Sequence, residues 1–218
     1  MRLSYKRISI YVIGMIVLAA GLTLNSKVTL GVSPILSLPY ALSEILSLRY
    51  SDAVFFWYCL FIVLQILIHL HLKKEKSVLI TDVLQILVSL LFTRVMNLYS
   101  DLIPVFETEC QGFLSTIWFR LLMLALAICL TGTGAALTLS MHLIPNPGDG
   151  IVAAVSELLQ KKVGTCKNIV DISCVCLTVL ISFISTKKII GVGIGTLFAM
   201  LGVGRVINFI NSHFDLTY

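Results

Sequence analysis

The sequence predicts an all-α, polytopic membrane protein: about six transmembrane helices plus two broken half-helices, arranged as two inverted repeats in a single integral membrane domain spanning 1–218. Three observations carry this reading. Hydrophobic residues fill 58% of the 218 positions and charged residues only 12%, about half the charged share of a typical soluble domain. Apolar runs near the ~20 residues needed to cross a hydrocarbon core recur along the chain, without the alternation that barrel strands would show. Finally, the second half of the chain repeats features of the first.

The opening segment, MRLSYKRISIYVIGMIVLAAGLTLNS, has a basic start and an apolar run, as a cleaved export signal does. Its length, and the spans that follow, make it a retained first span. Leu22 stands where a lipoprotein box would need Cys. Further spans are expected at about 53–71, 78–98, 113–138, 167–186 and 189–211, after a first at 8–25. Segments 28–48 and 142–160 are apolar but interrupted by Pro34, Pro39, Pro145 and Pro147.

Counting basic residues tests whether those two segments cross the bilayer. If they do not, Arg2, Lys6, Arg7, Lys73, Lys74, Lys76, Lys161, Lys162 and Lys167 lie on one side, and only Lys27, Arg49, Lys187 and Lys188 on the other. If both cross, the split falls to seven against six. The positive-inside bias therefore favours six spans with both termini cytoplasmic.

A shift of 113 residues aligns GLTLNSKVTLGVSPILSLPYALSEIL (21–46) with GAALTLSMHLIPNPGDGIVAAVSELL (134–159), with eight identities in 26 positions, including Gly21/Gly134, Pro34/Pro147 and Glu44/Glu157. At a shift of 111, RVMN (94–97) meets RVIN (205–208). The chain reads as two copies, about 8–100 and 118–212, of one unit: span, broken segment, span, span. Three crossings per copy invert the second copy relative to the first. In transporters of that plan, the solute site lies between the repeats at discontinuous helices.

Proline ends a helix arriving from its N-terminal side and suits the first turn of a new one. Two short helices are expected, about 34–47 with Ser33 as cap, and about 149–160 with Asp149 as cap. Their N-terminal amides would face an anion or polar solute, which makes Ser33, Asn146, Gly148, Asp149 and Gly150 the candidate solute-binding residues. The alternative is a pair of amphipathic helices lying along the interface. Ionisable groups inside spans are costly and usually face the interior, pair or snorkel. Arg94 and Arg205 are added to the candidate site on this ground, with snorkelling as the competing reading. Asp82 and Asp171 read as interfacial caps or as partners of those arginines, and Arg120 as snorkelling. His69 and His71 read as interfacial, Glu44 and Glu157 as solvated, and His142 as a proton-relay candidate at the lip of the broken segment. Gly191, Gly195 and Ala199 form a small-residue stripe that lets helices approach closely.

The net charge of +5 resides in short clusters between apolar runs, where orientation signals belong, so no nucleic-acid partner is expected. The six cysteines show no zinc or redox spacing; neither metal nor cofactor is expected. With no Gly-x-Ser-x-Gly, Walker or His-Glu-x-x-His motif, the chain is not read as an enzyme.

The segments GLTLNSKVTLGVSPILSLPYALSE, NPGDGIVAAVSE and GVGIGTLFAMLGVGRVINFIN resemble the YczE-like bacterial membrane proteins, related to the broader YitT group. The resemblance implies a multi-pass protein of the bacterial cytoplasmic membrane and supplies no reaction. The function expected is secondary transport or channel-like passage of a small polar or anionic solute. The alternative is a non-transporting accessory or substrate-binding subunit of a larger transport, export or biosynthetic complex. Membrane lipid is the expected surrounding, with a second copy or a partner subunit as possible companions.

Overall fold

The computed structural model describes residues 5–213; Arg2 of the charge count lies outside them. The described chain is helical, with no strand among the described residues. Its long helices are α1 (Tyr5–Lys27), α3 (Tyr50–His71), α4 (Lys76–Leu102), α5 (Ile117–Ser140), α7 (Val163–Thr186) and α8 (Ile194–His213), each long and apolar enough to cross a membrane. Two shorter helices, α2 (Ser37–Leu46, entered through a 3-10 turn at Pro34–Leu36) and α6 (Pro147–Leu159), occupy the broken segments. The protein is thus a polytopic helical membrane protein whose element order, long, short, long, long, occurs twice.

Helix ends follow local chemistry. After α1 the chain turns at Thr29 (φ 58°) and Gly31 (φ 107°); after α5 it turns at His142 (φ 48°), 113 residues beyond Thr29. The short helices both stop at a left-handed residue, Ser47 and Gln160, again 113 apart. Such a residue ends a helix by turning the next amides back onto its last carbonyls: Leu48 N–H donates to Ser43 and Lys161 N–H to Ser156, at 2.9 and 3.2 Å.

The axis of the bundle is the antiparallel crossing of α1 and α5. In hydrocarbon there is little hydrophobic gain in helix association, so close packing of small residues carries it. A Cβ on Gly21 would lie 2.5 Å from the Thr131 backbone nitrogen, and one on Gly134 would collide with the Leu18 backbone. The two contacts exchange under the 113-residue shift. So do two arginine contacts near the ends of the crossing: Arg7 of α1 donates to the Met141 carbonyl, while Arg120 of α5 donates to the Val28 carbonyl at 3.0 Å. Each arginine binds the loop leading into the other half's short helix. Arg120 also reaches the Thr29 hydroxyl (2.6 Å) and Glu107 (3.2 Å). It is therefore held by protein, not snorkelled to lipid as its sequence position suggests.

Around this axis α4 packs on α1 and α8 on α5, α2 lies between α3 and α7, and α6 contacts the same two helices. One departure from matching halves is large: α3 packs along α4, but α7 and α8 barely meet. The seven residues 187–193 that join them carry the chain to the 30–32 loop, where Val32 N–H donates to Gly191 (2.9 Å) and Gly195 N–H to Leu30 (2.7 Å). Gly191, just before α8, and Gly195, in its first turn, thus seat a loop in place of a second helix. Leu197, Leu201 and Phe209 of α8, and Leu87 and Leu91 of α4, stay exposed, as acyl chains require of a lipid-facing side.

The glycine crossing is testable. Gly21→Ala forces a methyl into backbone and should destabilise the protein by about 1–3 kcal/mol, read as a lower melting temperature and less monodisperse protein in detergent. Gly204→Ala meets no atom within 4 Å and should leave both unchanged or slightly improved, since alanine favours helix by about 1 kcal/mol.

Candidate functional site

The heads of the two short helices meet. A cavity of about 70 Å³ is lined by Ser33, Ile35 and Leu36 from the first and by Asn146, Gly148 and Asp149 from the second, with Leu18, Leu22, Tyr58, Thr131, Ala135, Lys167, Val203 and Ile207 completing the wall. A Cβ on Gly148 would sit 3.3 Å from Ile35 Cδ1, so the heads are in contact. Val203 and Ile207 of α8 and Lys167 of α7 line the same space, although those two helices barely pack on one another. The volume suits a small ion or one or two water molecules.

Pro147 occupies the first turn of α6, and Asn146 is the cap: its side-chain oxygen accepts from Gly148 N–H at 3.2 Å. Asp149, expected as the cap, stands instead in the first turn, because a helix headed by proline begins one residue before the Gly-Asp-Gly run. Asp149 and Gly150 N–H both donate to the Asn146 carbonyl, at 2.9 and 2.8 Å. The amides expected to face a solute are thus engaged within the turn, and the helix offers the cavity its positive end and its side chains. Ser33 precedes the 3-10 turn with Pro34 behind it, but its hydroxyl makes no capping bond.

The polar groups that sequence reasoning missed come from the long helices. Lys167, counted above as a flanking charge, lines the cavity and its Nζ lies 3.0 Å from Asp171 Oδ2. Asp171 is 1% exposed, and its Oδ1 is buried without a hydrogen-bond partner among the described residues. Thr131, also on the wall, keeps a buried hydroxyl with no partner among them. The i, i+4 spacing of Lys167 and Asp171 was the available signal, and Arg7 was legible as the residue 113 before Arg120.

Other candidates lie elsewhere. Gly150 packs on α3 and α4: a Cβ there would collide with Gln65 Oε1 and lie 3.1 Å from Gln85 Oε1. Arg94 is exposed and pairs with Asp52 at 3.8 Å; Arg205 is exposed, with no ion pair among the described residues. Neither lines the cavity. Asp82 pairs with His69, not with an arginine: both are buried, with Nδ1 to Oδ2 at 2.6 Å. His69 is therefore covered by protein at the end of α3. Glu157 is bound to Lys74 at 2.9 Å, where solvation alone was expected.

Two grooves flank the cavity, at opposite ends of the bundle. One, of about 410 Å³, is lined by Thr29, Gly31, Tyr40, Glu44 and the 189–194 segment. The other, of about 280 Å³, is lined by Thr138, Leu139 and the 142–145 segment, including His142. Thr29 and His142, one in each groove, are again 113 apart.

Comparison with known proteins adds one match. A family model described as "Family of unknown function (DUF6198)" covers residues 5–212. The chain belongs to the DUF6198 family. No curated protein and no solved structure matches it. For this DUF6198 member the function argument therefore rests on the cavity and what lines it.

The cap is testable. Asn146→Ala should cost about 1 kcal/mol and Asn146→Asp much less, since aspartate caps as well; thermal denaturation followed by circular dichroism in detergent reads the difference.

Proposed function

We propose that this protein is a secondary transporter or channel-like carrier of a small polar or anionic solute in the bacterial cytoplasmic membrane, with both termini cytoplasmic. The observation that carries the reading is the meeting of two proline-headed half-helices, reached from opposite ends of the bundle, at one small cavity whose largely apolar wall carries Ser33, Thr131, Asn146, Asp149 and Lys167. Transporters of inverted-repeat plan place their solute there, and irregular backbone at such depth is tolerated where protein or a cavity covers it.

The inverted-repeat reading is supported by contacts that exchange under the 113-residue shift: Arg7–Met141 with Arg120–Val28, and Gly134–Leu18 with Gly21–Thr131. A third exchange joins the short helices to the long ones. Gln65 of α3 abuts Gly150 of α6, and Thr178 of α7 bonds Ser37 of α2 at 2.8 Å.

In the proposed site, the positive ends of α2 and α6, the Lys167 ammonium and the Thr131 hydroxyl receive a solute bearing negative or partial negative charge. Asp149 and Asp171 keep Lys167 from holding it permanently. The 70 Å³ volume restricts the bound species to the size of a halide, nitrate or formate. The flanking grooves supply approaches from the two sides, and exchange between them requires the half-helix heads to move.

Proteoliposomes loaded with potassium salts and treated with valinomycin should show flux of chloride, nitrate or formate by light scattering. Lys167→Met and Asp149→Ala should each slow it at least tenfold at unchanged protein content. Binding without flux until another membrane component is added would point instead to the accessory subunit.

A further inference from the structure

A second polar cluster, on α3, α4 and α6, lies outside the lining of the cavity and is built around a buried histidine. His69 stands between two carboxylates: Asp82 of α4 at 2.6 Å from Nδ1 and Glu157 of α6 at 3.9 Å from Nε2. With Asp82 as a carboxylate, which only accepts hydrogen bonds, the donor of the bond is Nδ1–H. The Nε2 of a neutral ring is then a lone pair facing a second acceptor. That leaves a place for one proton, with its acceptor already in position.

We infer that His69, together with Asp82 and Glu157, is a proton-binding site that couples the position of α6 to pH. The inference extends the carrier reading above. A proton from solvent binds the Nε2 lone pair and raises the charge of the cluster by one. Nε2–H then donates to Glu157, drawing that carboxylate from 3.9 Å into hydrogen-bond range and away from Lys74, its present partner at 2.9 Å. No covalent bond other than N–H forms and nothing is oxidised. The ionisable groups in contact with the cluster are Asp82 from α4, Glu157 from α6 and Lys74 from the α3–α4 turn; Gln65 and Gln85 complete it as neutral groups.

The cluster reaches the cavity through those two glutamines. Gln85 donates to Asp82 at 3.4 Å and to Gln65 at 3.0 Å, and Gln65 donates to the Pro147 carbonyl at 3.3 Å. Pro147 heads α6, so α3 and α4 grip this short helix near both of its ends, through Gln65 and through His69. A change in charge at His69 alters one grip and tilts α6 about the other. The second half of the chain lacks the device: at the shift of 113, Gln65 is matched by Thr178 and His69 by Ser182.

The protein contains a reporter for this movement. Trp57 donates its indole N–H to the Ile35 carbonyl at 3.0 Å, and Ile35 is the residue that Gly148 touches. Trp118 is exposed and is the only other tryptophan. In Trp118→Phe protein with His71, His142 and His213 changed to Gln, emission should pass through one sigmoidal transition between pH 5 and 8, the range in which histidine changes charge. His69→Gln should abolish it. Glu157→Gln, which replaces the carboxylate facing Nε2, should reduce the amplitude of the transition at least twofold. Glu157 is exposed, so that variant carries the test should His69→Gln fail to fold. A transition unchanged by either substitution, or no transition in the parent, overturns the inference. The titration needs no solute, so it stands or falls apart from the flux measurement.

Discussion

The crossing of α1 and α5 is the constraint on which the rest of the architecture depends. Two backbones approach at Gly21 and Gly134, and at each end of the crossing an arginine satisfies a carbonyl in a loop that has left helical geometry. A peptide carbonyl without a partner costs several kcal/mol in hydrocarbon. The arginines therefore do more than neutralise their own charge: they let each loop dip far enough for a short helix to start inside the bundle. Without that, α2 and α6 would have no reason to begin where they do.

From this seam the halves diverge. In the first, α3 and α4 are joined along a polar stripe containing Gln65, His69, Asp82, Gln85, Ser89 and Thr93, all buried. In the second, α7 keeps its buried stripe of Asp171, Cys174, Thr178 and Ser182, but α8 has left it to pack on α5 and the 30–32 loop. A duplicated plan with unequal polar content gives one half a fixed clamp and the other a gap. The cavity lies at the gap, with Lys167 reaching into it.

Much of this was legible in the sequence, for identifiable reasons. Long apolar runs marked all six spans, since a span needs about 20 residues regardless of its neighbours. Prolines marked the short helices because a missing N–H acts locally. The repeat placed Ser33 and Asn146 in register, and both reached the cavity. The errors concerned partners. Asp82 was read as an interfacial cap or a partner of the arginines because charge alone does not say which helix lies opposite, and Lys167 was counted as a flanking charge because α7 begins four residues earlier than hydropathy suggests. Arg94 and Arg205 matched each other well in sequence and yet sit outside, since a repeat preserves position in the fold without making that position central.

The Arg7–Met141 bond spans 134 residues of chain, whereas Val28 is already made when Arg120 emerges. During synthesis the first helix must therefore wait in the bilayer or at the insertion machinery, its glycine face uncovered, until the fifth arrives. The two halves are unequal in biogenesis even where they are matched in geometry: the later one docks onto a surface that exists, and the earlier one is a template held open for a strand of peptide still inside the ribosome.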